Sequence, residues 1–205
     1  ASSTCMLEGF INLDNHVLLP LLMMPRVMRR LLSPGHRTML ENYEKLIHKH
    51  VFIRHDCRKP LPFGDCMVDH ILCSHFLEHV FPSEADEIIS DFRRVLKPGG
   101  TVHIILPDIL EMAKRYVKSA GDINPLVADE FITETLLSRS DRGSLKFRFL
   151  ELLGGYGLSH KWMYDKYSMT QRVVRLGLVT IDRNETPSKS FRYNDGSIHI
   201  VARKD

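Results

Sequence analysis

From Met67 to Pro107 the hydrophobic pattern runs strand, loop, helix, turn, strand. Residues 68–73 form a mostly apolar run ending at Cys73. Ile88, Ile89, Phe92, Val95 and Leu96 then recur at i, i+1, i+4, i+7 and i+8, the spacing of one buried helical stripe. Asp91, Arg93, Arg94 and Lys97 cover much of the remaining surface, with the cations toward the C-terminal end, where the helix dipole favours them. Ser83 is the expected N-cap, with Asp86 three residues on as the carboxylate of a capping box. Pro98 stops the helix and Gly99-Gly100 turn the chain into a second apolar run, 102–106. His103 inside that run reads as a strand residue rather than a ligand. Two strands joined through a helix make a parallel crossover unit of an α/β sheet. The loop leaving its first strand, 74–79, lies where such sheets receive ligands.

The same reading extends outward. The apolar run 10–13 ends at Asp14, and Val51-Phe52-Ile53 is a further short strand ahead of Asp56. Between them, 17–32 is dense in Leu and Met, is broken by Pro20 and Pro25, and carries Arg26, Arg29 and Arg30. Ser33-Pro34-Gly35 follows as a break, then a more polar helix over 37–49. Downstream, Ile109, Met112, Ala113, Tyr116 and Val117 share one face of a helix over 109–117. Further helices are expected over 124–137 and 144–153, with the polar turn 138–143 between them, followed by the loop Gly154-Gly155-Tyr156-Gly157. Ser168 and Gln171 suggest another capping box, and Gly177 ends that helix. The last strands fall at 179–182 and 198–202, the second introduced by the Asn194-Asp195-Gly196 turn. The expected architecture is a single α/β domain over 1–205 with a mostly parallel sheet and an antiparallel last strand. It has a helical insertion or lid at 17–50 and a helical substrate-side region at 109–176.

Composition narrows the function classes. A chain of 205 residues suits one domain with a sizeable core. A net charge of +3, with no dense run of Lys and Arg interleaved with aromatics, argues against nucleic acid. Cys5, Cys57, Cys66 and Cys73 form no CxxC pair, so neither a zinc knuckle nor a disulfide framework is indicated; free thiols in a reducing cytoplasm follow. No apolar run reaches the roughly 18 residues of a membrane span. The basic, Met-rich 17–32 segment has three readings: a helix packed on the sheet, a peripheral membrane contact, or a lid over an apolar substrate.

Two chemistries compete for the 74–79 loop. His75-Phe76-Leu77-Glu78-His79 fits the H-x-x-E-H pattern, in which two imidazoles one helical turn apart bind zinc and the glutamate is a general base. A zinc hydrolase is the remote alternative, since these residues follow a strand instead of sitting inside an amphipathic helix; the main reading expects no metal. Farther on, His160, Lys161, Trp162 and Tyr164 gather polar and aromatic groups. They can meet a sugar or other polar acceptor, with His160 as candidate catalytic base. The other reading has the chain's single Trp anchoring the loop against the sheet.

Asp69, Ile71, Ser74, His75, Leu77, Glu78 and His79, followed by Arg94-Val95-Leu96-Lys97-Pro98-Gly99-Gly100, resemble class I S-adenosylmethionine-dependent methyltransferases of the type 11 group. Asp56 with Pro60-Leu61-Pro62-Phe63, the segment from Glu8 to Asp14, and His160-Lys161-Trp162-Met163-Tyr164 match further motifs. The last two point to a subgroup often found in bacterial surface-polysaccharide loci. The resemblance implies a Rossmann-like methyltransferase fold binding S-adenosylmethionine, with S-adenosylhomocysteine as product. It assigns Asp14 to the ribose hydroxyls, Asp56 and Cys57 to adenine, and Ser74 and His75 to the methionine end. His79, His160, Trp162 and Tyr164 become acceptor-side candidates, and the acceptor a small molecule or glycan methylated on oxygen or nitrogen. The family's Gly-rich loop aligns with Ala1, Ser2 and Ser3, where both glycines are replaced and the first strand is missing or very short. The alignment allows a trimmed chain, a very short strand in 1–6, or a degenerate interaction or regulatory protein on the same scaffold.

Overall fold

The computed structural model describes residues 8–15, 19–120, 126–138, 159–189, 191–192 and 195–205. The chain divides into two compact units, with the boundary between Lys59 and Pro60.

In the first unit β1 (Asn12–Asp14) pairs in parallel with β2 (Phe52–Arg54), Leu13 opposite Ile53. Parallel neighbours need a crossover, supplied here by a 3-10 turn at Leu19–Met23, the short helix α1 (Arg26–Arg29) and the long helix α2 (Pro34–Lys49). α2 begins three residues before the sequence suggests, because Ser33 caps it, accepting from the His36 amide at 3.5 Å. Pro34 takes the first helical position, where a missing N–H costs nothing. Ser33-Pro34-Gly35 is therefore a helix start, not a break. Leu40 and Tyr43 form the buried face of α2. Arg29 is tied to the Met24 and Leu22 carbonyls and to Glu44. Leu19 is buried, whereas Met23, Val27 and Leu31 are 90%, 73% and 84% exposed.

The second unit holds a four-stranded sheet built from β3 (Val68–Ser74), β4 (Leu96–Pro107), β5 (Val179–Thr180) and β6 (Ser197–Arg203), in the order β3-β4-β6-β5. β3 and β4 are parallel, while β6 runs against both β4 and β5, so three strands share one direction and the last in sequence opposes them. The Pro-Gly-Gly turn sits inside β4 as an irregularity in its pairing with β3. Gly99 has φ +78°, and a Cβ on Gly100 would stand 2.9 Å from the Lys97 carbonyl oxygen, so both positions require glycine.

Helix α3 (Pro82–Val95) crosses between β3 and β4 and buries Ala85, Ile88, Ile89, Phe92 and Val95. Its cap differs from the Ser83/Asp86 expectation. Phe81 is the N-cap, Pro82 starts the helix, and the Glu84 carboxylate accepts the Phe81 amide at 2.8 Å. Asp86 serves tertiary structure instead, accepting from Arg172 and, at 2.7 Å, from Arg175. Helix α4 (Ile109–Ala120) is longer than expected; on the expected face Met112 is buried, Tyr116 is half-buried and Val117 is 71% exposed. Tyr116 stacks on Phe131 of α5 (Val127–Thr135), ring centroids 5.0 Å apart. Helix α6 (Lys166–Arg175) is capped by Asp165, not Ser168: the Ser168 amide donates to Asp165 Oδ1 at 2.7 Å, and Ser168 Oγ accepts the Asp165 amide. Gly177, φ +82°, ends it as expected. The expected helix 144–153, the turn 138–143 beyond its first residue, the glycine loop 154–157 and Asn194 lie outside the described residues.

Along β4, Val102, Ile104 and Leu106 alternate with His103 and Ile105, and all five are buried. Segment 186–188 lies against the face bearing His70, Thr101 and His103. Among the described residues no helix is long and apolar enough to cross a membrane.

Candidate functional site

In the first unit the predicted cofactor residues gather at the carboxyl ends of β1 and β2. Asp14 closes β1, and its carbonyl accepts the His55 amide at 3.0 Å. Its carboxylate accepts the Tyr43 hydroxyl at 3.1 Å. Burial, reinforced by Asp14, raises the Tyr43 phenol above its ordinary value, so it stays a donor and holds the carboxylate in place. Sequence reading missed Tyr43, although its place on the buried face of the helix with Leu40 was a signal. Asp56 accepts both ends of the Arg58 fork, at 2.9 and 2.7 Å, and also the Arg58 amide. Burial would raise the Asp56 carboxyl, but these bonds and the guanidinium charge outweigh it and hold the group below its ordinary value. Burial, then the charges of Asp14 and Asp56, push the Cys57 thiol up to about 11. Cys57 is thus a neutral thiol near both carboxylates, and His55 Nε2 is buried with no hydrogen-bond partner.

In the second unit β3 ends at Ser74, whose Oγ is buried without a partner. His75 follows with φ 50°, its amide bonded to the Ile105 carbonyl at 2.9 Å. That left-handed step turns the chain into the 3-10 turn Leu77–His79. His75 and His79 therefore do not sit one turn apart on an α-helix, and the H-x-x-E-H zinc arrangement is not formed. The partner of His79 is instead His160, with ring centroids 5.0 Å apart in an edge-on contact.

Glu78, His79 and His160 are buried, and one donor atom from each lies within 4.8 Å of the others. His75 Nδ1 stands 3.1 Å from Glu78 Oε1, close enough for a charge contact but without hydrogen-bond geometry. Both Glu78 oxygens consequently lack a hydrogen-bond partner. The backbone around them is fixed, because the Glu78 carbonyl accepts the Lys161 and Trp162 amides and the His160 amide donates to Leu136. Burial lowers the His79 imidazole below its ordinary value, with the Glu78 charge opposing.

His160 is in the buried cluster, its Nδ1 2.7 Å from the Thr135 carbonyl oxygen. Tyr164 is 2% exposed, its hydroxyl unpartnered and its ring beneath the Arg172 guanidinium. Trp162 is 50% exposed, so it is the backbone and not the indole that anchors this segment. Ala1, Ser2 and Ser3, the predicted glycine-loop equivalents, lie outside the described residues.

Residues 28–104 match the family model of the methyltransferase domain. This segment, rather more than a third of the chain, is similar to the methyltransferase domain of the type 11 group. Among solved structures it is similar to the PH0226 protein of Pyrococcus horikoshii OT3, at 19% identity and a TM-score of 0.47, covering 84% of this chain and 68% of that one. It is also similar to a SAM-dependent methyltransferase of Methanosarcina mazei, at 21% identity and a TM-score of 0.45, covering 76% and 67%. A structure of PigF with SAH matches at 14% identity and a TM-score of 0.43, covering 94% and 49%. No curated protein matches the sequence significantly. The methyltransferase reading rests on the matched segment.

Proposed function

We propose that the chain transfers a methyl group from S-adenosylmethionine to an oxygen or nitrogen of a small-molecule or glycan acceptor in the cytoplasm. The carrying observation is the methyltransferase-domain match over 28–104, a span that includes β2, β3, α3 and most of β4. Two features of the chain fit the cofactor independently. Asp14 is a pre-oriented carboxylate at a strand end, suited to the two ribose hydroxyls, and Ser74 Oγ is a buried polar atom that lacks a partner. Asp56 and Cys57 are assigned to the adenine and Ser74 and His75 to the methionine end. His79, His160, Trp162 and Tyr164 are assigned to the acceptor.

When bound, the cofactor supplies a methyl carbon activated by its sulfonium. Asp14, Ser74 and His75 would hold it while that methyl group passed to the acceptor, whose proton would be released to solvent. Holding the acceptor in line supplies most of the acceleration, so the chain's task is orientation and exclusion of water.

Calorimetric titration with S-adenosylhomocysteine tests this reading. Saturable one-to-one binding, weakened about tenfold or more by Asp14→Ala through loss of charge-assisted hydrogen bonds, is expected. A folded protein that takes up no S-adenosylhomocysteine would overturn the enzyme reading and favour an interaction protein on the same scaffold.

A further inference from the structure

We infer that Glu78, His79 and His160 form a binding site for one divalent transition-metal ion of the zinc class. Two imidazoles and one carboxylate make a nitrogen–oxygen donor set matched to such an ion, leaving at least one coordination position open. Donor atoms of all three lie within 4.8 Å of one another.

The surroundings of each ligand carry the argument. His160 Nδ1 lies 2.7 Å from the Thr135 carbonyl oxygen and His79 Nδ1 lies 3.2 Å from that of Ser159. A carbonyl only accepts, so each Nδ1 carries the proton and each Nε2 keeps a lone pair. This outer bond to a backbone carbonyl is what orients ligand histidines in metal sites. Met163 Sδ, 3.1 Å from His160 Nδ1, adds a second soft contact on the side away from that lone pair.

Glu78 supplies the independent observation. It is 1% exposed, and neither carboxylate oxygen has a hydrogen-bond partner. A buried carboxylate without hydrogen bonds is costly, and such groups are found paired or bound to metals. The His75 contact on Oε1 does not meet that need, since it lacks hydrogen-bond geometry. The main chain is already in place for an ion, because the Glu78 carbonyl holds the amides of Lys161 and Trp162, bringing His160 across more than 80 residues of sequence to the β3 turn.

The set differs from the H-x-x-E-H triad in that His160 replaces His75. The inference also stands apart from methyl transfer, since either property can be present without the other. With an ion bound, His160 Nε2 is a ligand and no longer a base.

Zinc content and affinity of the full chain, by elemental analysis and competition with a chromophoric chelator, test the site. One zinc per chain is expected. His160→Ala and His79→Ala should each weaken binding beyond the roughly 10–100-fold that loss of an outer partner costs, while His75→Ala leaves it within about twofold. Glu78→Gln keeps the side-chain shape and should also weaken binding, so the test survives an alanine variant that fails to fold. Cobalt(II) should give a visible absorption spectrum lost in Glu78→Gln. Zinc bound substoichiometrically, or bound equally well by folded His160→Ala and Glu78→Gln, would overturn the site. Loss on His75→Ala with retention on His160→Ala would also overturn it and return the zinc to the linear motif. Binding of S-adenosylhomocysteine to zinc-free protein keeps this outcome separate from the cofactor reading.

Discussion

Among the described residues the second unit holds two histidine clusters, and they differ in what is left over. In one, His70 bonds Thr101 and Ser188, at 2.8 and 2.9 Å, and His103 bonds Ser188 and His199, at 2.7 and 2.9 Å. Every ring nitrogen of His70 and His103 has a partner, and the Ser188 hydroxyl also meets Thr186. In the other, His79 and His160 each tie down one nitrogen to a carbonyl, and the carboxylate of Glu78, next to His79 in sequence, has no hydrogen bond at all. A closed network is a structural device that fixes one packing of the sheet against 186–188. An open one is complete only with something added. Counting unsatisfied atoms, more than counting histidines, separates structure from site.

The largest expected effect lies in the closed network. His103→Ala leaves a cavity and removes one partner each from Ser188 and His199, and should cost about 3 kcal/mol by urea denaturation. His160→Ala in metal-free protein should cost less than half of that. If the open cluster proves the more costly to break, the comparison fails.

Acid should expose the same difference. Burial, with His199 and Arg183 adding to it, pushes His103 down to about 3, and burial lowers His70 and His199 as well. The unfolded chain takes up protons below about pH 6.5 while the folded network stays neutral. Stability is therefore intact above that pH and lost as pH falls toward the folded value of His103, at about 1.4 kcal/mol per pH unit from that histidine, with His70 and His199 acting in the same direction. A urea midpoint flat between pH 7 and 4.5 would contradict this.

A smaller change of opposite sign is expected at the open cluster. In the presence of a chelator, Glu78→Gln removes a buried charge with no hydrogen bond and should raise stability by about 1 kcal/mol. Loss of stability instead would mean that the His75 contact satisfies the carboxylate.

The β3–α3–β4 unit was legible because its information is local: the helical stripe from Ile88 to Val95, the Pro-Gly-Gly turn and the apolar runs are all read within about 40 residues. Helix starts were read less well. Ser33, Phe81 and Asp165 cap because of how the preceding chain enters each helix, and the nearest plausible side chain in sequence was the wrong one at Ser83 and Ser168. Val117 repeats the apolar period yet faces solvent, since α4 is covered only as far as Tyr116 stacking on Phe131. The site shows the same limit. Asp14 and Ser74 stand at strand ends and could be found by position. Tyr43 reaching Asp14, and His160 joining Glu78 and His79, are products of tertiary packing over 29 and about 80 residues, and no spacing rule encodes them. The motif spacing proposed His75 as the partner of His79, and the left-handed turn at His75 removed it.

The central claim, that this chain holds S-adenosylmethionine for methyl transfer, is tested most directly by titrating S-adenosylhomocysteine into the protein and into Ser74→Leu. Leucine at that position blocks the end of β3 and offers no hydroxyl. Saturable binding by the parent chain, lost by a folded Ser74→Leu, is the predicted result. Equal binding by both would contradict the placement of the cofactor at the end of β3, and binding by neither would contradict the claim itself.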